Sequence, residues 1–384
     1  MSSSSIAEGI LLYLDKLGED YARVVHAPNR LLDEKERELR EQGGFIYPFA
    51  PVHVLADKSL VAVDGGRASQ QLSGGDLIAA GATLADGVNS LPKYRDEPIS
   101  EAYATIVPHT SDSETSFGAR IMAALELRVL EQADTDYTII DGAYLGNTSE
   151  VLFGLLSSNP DALEQLLYFN KDGKLNNAML RILCPPSDNS SGIIAVPKSD
   201  SSFVQSKELF GDNNFARQIS DRKLASHMLA PGEFTQPRPL ESNPILISSL
   251  QTKTKGLTGE ARQVVDKKLD FLKDLGGTWD TTYENRLYTA YFKPSGWTKF
   301  DRALKIEFVY YPNQKTSLVE HTERIVQAVN DDTVDNSLME PYSQYIADRR
   351  AKEVSTGIDI AKQALLSQID SLEEANGILR NYRT

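Results

Sequence analysis

The chain has 384 residues, 41% of them hydrophobic, enough apolar material for one large or two ordinary packed domains. Its formal net charge of -14 excludes a broad, nonspecific grip on phosphate backbones, which needs a surplus of Lys and Arg, so any DNA contact must use a local basic channel or a partner that delivers the strand. The single cysteine, Cys184, excludes a disulfide framework and a thiolate metal site, and with neither a leader pattern after Met1 nor an apolar run of bilayer length, a soluble cytoplasmic protein without membrane contact is expected.

In chain order, Ile6, Ile10, Leu11, Leu14 and Leu17 share one helical face, and a second, highly charged helix is predicted over residues 31–40. Gly43, Gly44 and Pro48 end this N-terminal helical segment, residues 1–45, and residues 46–384 read as the main domain. Short β-rich runs follow at 59–63, 76–84, 104–107, 137–140 and 192–196. Between them residues 117–132, with Ile121, Leu125, Val129 and Leu130 at helical spacing, predict a helix lying on a sheet. Residues 185–192 read as a loop and 200–245 as an irregular excursion over the surface. Further strands are predicted at 286–292 and 304–310, a helix at 317–330, and a long C-terminal helix with Ile358, Ala361, Leu365, Ile369 and Leu372 on one side. Strands mixed with helices in this order define an α/β fold with a mixed sheet flanked by helices.

Two apolar strands end alike, in Val61-Ala62-Val63-Asp64-Gly65-Gly66 and in Thr138-Ile139-Ile140-Asp141-Gly142-Ala143. If the two strands are neighbours, Asp64 and Asp141 sit side by side, and such a pair implies a bound cation or a shared proton. Each Asp-Gly taken alone is also an ordinary turn signal. Glu126, on the predicted helix, can project from its edge toward the same strand ends, with Glu131 as a substitute; a solvent-facing glutamate has the same pattern. Lys198 follows the apolar run Ile193-Ile194-Ala195-Val196-Pro197, where a lysine beside acids can hold a phosphate or simply be solvated. Asp348 reads as the start of the last helix, where an acid suits the positive end of the dipole. Lys293, Trp297, Lys299, Phe300, Arg302 and Lys305 interleave cations with aromatics, a pattern that serves single-strand DNA as well as an ordinary charged hairpin. The five histidines show no His-Glu-x-x-His spacing, and no phosphate-binding Gly-x-x-x-x-Gly-Lys-Ser/Thr loop is present, so zinc hydrolysis and ATP hydrolysis by this chain are not expected.

Taken together, Ala62-Val63-Asp64-Gly65-Gly66-Arg67, Leu125-Glu126, Ile139-Ile140-Asp141-Gly142, Ile194-Ala195-Val196-Pro197-Lys198, Ala230-Pro231-Gly232-Glu233 and Tyr345-Ile346-Ala347-Asp348-Arg349-Arg350-Ala351 resemble the NurA nuclease family, partners of the HerA hexameric DNA translocase. The resemblance implies a ribonuclease-H-like core, Mn²⁺ or Mg²⁺ at the active site, and a toroidal homodimer docked on the ATPase. It also implies endonuclease activity together with 5′ to 3′ exonuclease trimming, in repair or in phage defence. By position it makes Asp64, Glu126 and Asp141 metal-binding carboxylates and Lys198 the active-site lysine; Asp348 falls where many members have histidine. On that footing Asp64 is expected to bridge two ions, with Glu126, Asp141 and Asp348 as outer ligands, Lys198 on the phosphate, and Arg67, Lys293, Trp297 and Lys299 near DNA. The competing expectations are a non-catalytic adaptor of the translocase and an actin-like nucleotide-binding protein, whose related sheet also uses Asp-Gly loops.

Overall fold

The computed structural model describes residues 13–21, 27–51, 53–72, 75–108, 113–156, 160–183, 192–200, 202–240, 286–312 and 316–367. In chain order they form α1 (Leu14–Tyr21), α2 (Ala27–Gln42), β1 (Ile46–Pro48), β2 (Leu60–Leu72), β3 (Gly75–Asp86), β4 (Ser100–Val107), α3 (Ser113–Glu131) and β5 (Tyr137–Asp141). Then come α4 (Gly146–Leu156), α5 (Pro160–Phe169), α6 (Lys174–Leu183), β6 (Ile193–Val196), α7 (Val204–Phe210), α8 (Asp221–Met228), β7 (Glu233–Thr235) and β8 (Arg238–Pro239). The last are β9 (Leu287–Lys293), β10 (Leu304–Val309), α9 (Leu318–Asp331), α10 (Tyr342–Ala351) and α11 (Val354–Ser367). The contacts divide the chain into two units, the larger drawn from Ala50–Lys198, Pro237–Ala290 and Lys305–Thr384, the smaller from Met1–Phe49, Ser199–Gln236 and Tyr291–Leu304.

The larger unit is built on a mixed sheet with strand order β9-β10-β6-β5-β2-β3-β4. At its centre β2, β5 and β6 run parallel, whereas β2 with β3, β3 with β4, and β6 with β10 are antiparallel. The short runs of β5 and β6 are apolar and buried, as expected for interior parallel strands covered on both faces. β4 alternates in exposure, which marks it as the edge. Helix α3 packs on β2 and β3 through Phe117, Ile121, Ala124 and Leu125, together with Val61, Val63, Ile78 and Ala80. On the other face α11 lays Ile358, Ala361 and Leu365 on Leu72, Leu77 and Ala79, and α10 packs on the same two strands. The smaller unit holds Leu32 and Leu39 of α2 against Phe45, Ile219, Leu224 and Met228.

Several expectations change. Asp64 does not end its strand: β2 runs on to Leu72, because β3 pairs with it along its whole length. Residues 202–240 are not irregular; they carry α7, α8, β7 and β8, and in the smaller unit the apolar residues in and around α7 and α8 pack with those of α2. The expected C-terminal helix is two helices, α10 and α11, with turn residues 352–353 between them, and Asp348 lies late in α10 rather than at a helix start. Helices α4 to α6 had no counterpart in the sequence reading. Ile6, Ile10, Leu11, Cys184, residues 185–191, Ile369 and Leu372 lie outside the described residues.

Candidate active site

Strand register brings the key residues to one place in the larger unit. The parallel ladder between β2 and β5 ends at Val63↔Ile140, so Asp64 and Asp141 are the next residue on each strand. Asp141 itself pairs with Val196 of β6, and Lys198 follows two residues later. Three adjacent parallel strands thus deliver two acids and a lysine at the carboxyl end of their shared parallel ladder, where open α/β sheets place their functional groups. The Lys198 Nζ lies 3.5 Å from Asp64 Oδ2, 3.4 Å from Asp141 Oδ2, 3.3 Å from Glu340 Oε2 and 3.6 Å from Asp348 Oδ1.

The glycines after Asp64 serve close approach rather than a turn. Side chains alternate along β2, and a Cβ on Gly65 would fall 2.3 Å from Glu126 Oε1 and 2.7 Å from Met122 Cγ, on the α3 face. One on Gly66 would fall 2.1 Å from the carbonyl oxygen of Ala351, on the α10 face. Glu126 therefore comes from the helix opposite the one that brings Asp348, and it reaches the strand because Gly65 leaves the space. Its carboxylate is buried and accepts a hydrogen bond from Asn147 Nδ2 on α4. After Asp141 the chain does turn, through Gly142 at φ +80°, and the Tyr144 N–H donates to Glu307 Oε2 at 2.8 Å, which anchors that turn to β10.

Burial governs the electrostatics. It raises the Asp64 carboxyl to about 7, Asp141 and Asp348 push the same way, and Lys198 and the Gly65 N–H hold it back. Burial likewise lifts Glu126 well above the carboxylate range, with Asp64 adding to it, and lifts Glu340 against the pull of Lys198. The half-buried Lys198 goes the other way: burial disfavours its charge, but Asp141, Asp64, Glu340 and Asp348 hold it more firmly protonated than usual. A set of carboxylates that can ionise together only beside a cation, with oxygen donors throughout, fits a hard divalent ion such as Mg²⁺ or Mn²⁺.

Sequence reasoning missed three supporting residues, all of which are polar residues in stretches without a distinctive motif. Gln344 of α10 is fully buried and donates through Nε2 to Asp141 Oδ1 at 2.5 Å and to Val196 O at 3.1 Å. Asn147 fixes Glu126, and Glu340, just before α10, is the fourth carboxylate at Lys198. The helix is held by Asp332, whose Oδ2 accepts from the Ser343 N–H at 2.9 Å and hydroxyl at 2.6 Å, while Oδ1 accepts from the Val88 N–H at 2.8 Å.

The residues expected near DNA are differently placed. Arg67 is exposed on β2, its side chain passing over Gly118 of α3. In the smaller unit Lys293 is 0% exposed and its ammonium donates to the carbonyls of Ser226 and Lys299, and Trp297 is buried as well; both are corrected from DNA-facing to internal. Lys299 remains accessible and the neighbouring Phe300 is 97% exposed. Also in that unit Asp33, Glu36 and His227 come close enough to share an ion, but His227 hydrogen-bonds Asp33 at 2.7 Å, and Glu36 pairs with Arg40 at 2.9 Å and Lys299 at 3.8 Å, a surface charge network. Among the described residues no helix is long and apolar enough to cross a membrane.

The arrangement is a mixed α/β fold with a carboxylate cluster at the carboxyl end of its parallel ladder. No family model and no curated protein matches the chain in sequence. Its fold is similar to that of the NurA nuclease from Sulfolobus solfataricus, with a TM-score of 0.54 and 13% identity over 92% of this chain and 98% of that one. NurA bound to dAMP and manganese aligns over 98% of this chain and 100% of its own at a TM-score of 0.49 and 12% identity. NurA with manganese aligns over 91% and 98%, at 0.47 and 11%. By the first of these likenesses the chain has a NurA-like fold.

Proposed function

We propose that this chain is a divalent-metal-dependent deoxyribonuclease on a ribonuclease-H-like sheet. The observation that carries the reading is the convergence of Asp64, Asp141 and Asp348 on the Lys198 ammonium, with the buried Glu126 beside Asp64. Divalent ions bound here would supply Lewis-acid charge to the phosphodiester. Asp64 would be their central ligand, with Glu126, Asp141 and Asp348 as outer ligands. Gln344 and Asn147 each hold one carboxylate in a fixed orientation, so the donors need not reorganise when the substrate arrives. Lys198 would hold the scissile phosphate, its charge offsetting the negative charge that develops there.

In its finer form the proposal is a cytoplasmic homodimer that feeds on DNA delivered by a HerA-like hexameric ATPase, combining endonuclease and 5′ to 3′ exonuclease activity in end processing or phage defence. A net charge of -14 supports delivery by a partner over free capture of DNA. The test is cleavage of a linear duplex with Mg²⁺ or Mn²⁺, with and without a co-purified ATPase. Asp64→Asn should lower the rate on the order of a hundredfold or more while the fold is kept. Wild-type cutting by that variant would remove the reading.

A further inference from the structure

We propose that Glu340 is a metal ligand, closing with Asp64, Asp141 and Asp348 a four-carboxylate cage around the position taken here by the Lys198 ammonium. The inference rests on the metal-dependent reading and extends it to a residue that no motif marked. Of the four carboxylate oxygens around Nζ, that of Glu340 is the nearest, at 3.3 Å. The same Oε2 atom is buried, and the partner it meets is the Lys198 ammonium. The Oε1 of the fully buried Gln344, whose Nε2 holds Asp141, lacks a hydrogen-bond partner. A buried acceptor left in that state is costly.

The backbone leading to Glu340 is itself constrained. Met339 has φ +55°, alone among the described non-glycine residues in the left-handed region, and Pro341 follows as the residue preceding α10. A strained residue on one side and a ring-locked one on the other constrain how Glu340 enters the cage; strain of this kind collects at ligand clamps. Lys198 is then a tethered cation set among the four carboxylates that would hold the metal.

The test is Mn²⁺ binding to the full chain, measured by calorimetry and by the electron-spin signal of free Mn²⁺. It compares wild type, Glu340→Gln, Glu340→Asp, Asp64→Asn and the surface control Glu97→Gln. Glu340→Gln is expected to weaken Mn²⁺ binding at least about tenfold, Glu340→Asp by less, and Glu97→Gln not at all. Lys198→Met should tighten Mn²⁺ binding by freeing the cage, and Glu340→Gln should still weaken it in that background. Glu340→Gln binding Mn²⁺ like wild type while Asp64→Asn loses it would overturn the role of Glu340 and leave the metal reading standing. A folded wild type that takes up no Mn²⁺ would overturn both.

Discussion

Gly66→Ala is the most revealing single change, because it moves a helix without touching a carboxylate. The added Cβ would fall 2.1 Å from the carbonyl oxygen of Ala351 and 2.6 Å from its carbon, backbone atoms that cannot rotate away. The end of α10 must retreat by roughly an ångström, and overpacking of this kind costs about 1–3 kcal/mol. That helix carries Gln344, which holds Asp141, and Asp348, which faces Lys198. A misplacement of about 1 Å in a reacting constellation can cost about a hundredfold in rate. Urea unfolding followed by circular dichroism should show the stability loss, and Mn²⁺-dependent cleavage should fall by about that factor. The matched control is Gly357→Ala in α11, where an added Cβ meets nothing within 4 Å, so the helix should be stabilised by up to about 1 kcal/mol. If Gly66→Ala unfolds at the wild-type urea concentration and cuts at the wild-type rate, the packing of α10 on β2 does not position the site.

Gly65→Ala meets only side-chain ends, Glu126 Oε1 and Met122 Cγ, so it should keep the fold within about 1–3 kcal/mol yet displace Glu126 and weaken Mn²⁺ binding in calorimetry. Asp332→Ala leaves the buried Ser343 N–H and hydroxyl and the part-buried Val88 N–H without their acceptor and should cost about 1–3 kcal/mol for each buried donor by urea unfolding, with cleavage lost as α10 comes loose. Asp64 has its folded pKa raised to about 7, and Glu126 is raised too, so their contribution to stability is complete below the ordinary carboxylate range and is lost as pH rises through about 7. The metal-free protein should therefore melt higher at about pH 5 than at about pH 8, excess Mg²⁺ should narrow the gap, and a gap unchanged by Asp64→Asn would refute the assignment. Phe300→Ala, at a fully exposed position, should leave stability within about 0.5 kcal/mol and weaken single-stranded DNA binding by about 1–3 kcal/mol in anisotropy at fixed salt; equal binding would discount the loop as a base-stacking contact.

Much of the sheet was legible because apolar β-runs bounded by turn residues are local signals: residues 137–140 and 192–196 match β5 and β6 almost residue for residue. What failed depended on partners. Asp64-Gly65-Gly66 has the composition of a turn, and only the presence of β3 along β2 shows that the glycines admit Glu126 and α10 instead. Glu126 could not be told from a solvated helix residue, since its burial comes from β2 and α4 rather than from its own periodicity. Glu340 and Gln344 had no signal at all. Their roles arise from the Asp332 anchor and the approach of α10 to strands far away in sequence. Lys293 was misread because a lysine between aromatics looks like a DNA contact, whereas here its ammonium caps two backbone carbonyls.

The dependence of the cluster on α10 also bears on when the site is completed during synthesis. On a ribosome the strand carrying Asp64 emerges about 280 residues, and that carrying Asp141 about 200 residues, before Glu340, which with Gln344 and Asp348 joins them only through contacts of very long sequence separation. A half-made chain can pair its early strands, yet the helix that orients Asp141 has not been synthesised. Assembly order thus separates the forming of a scaffold from the completion of its carboxylate cluster.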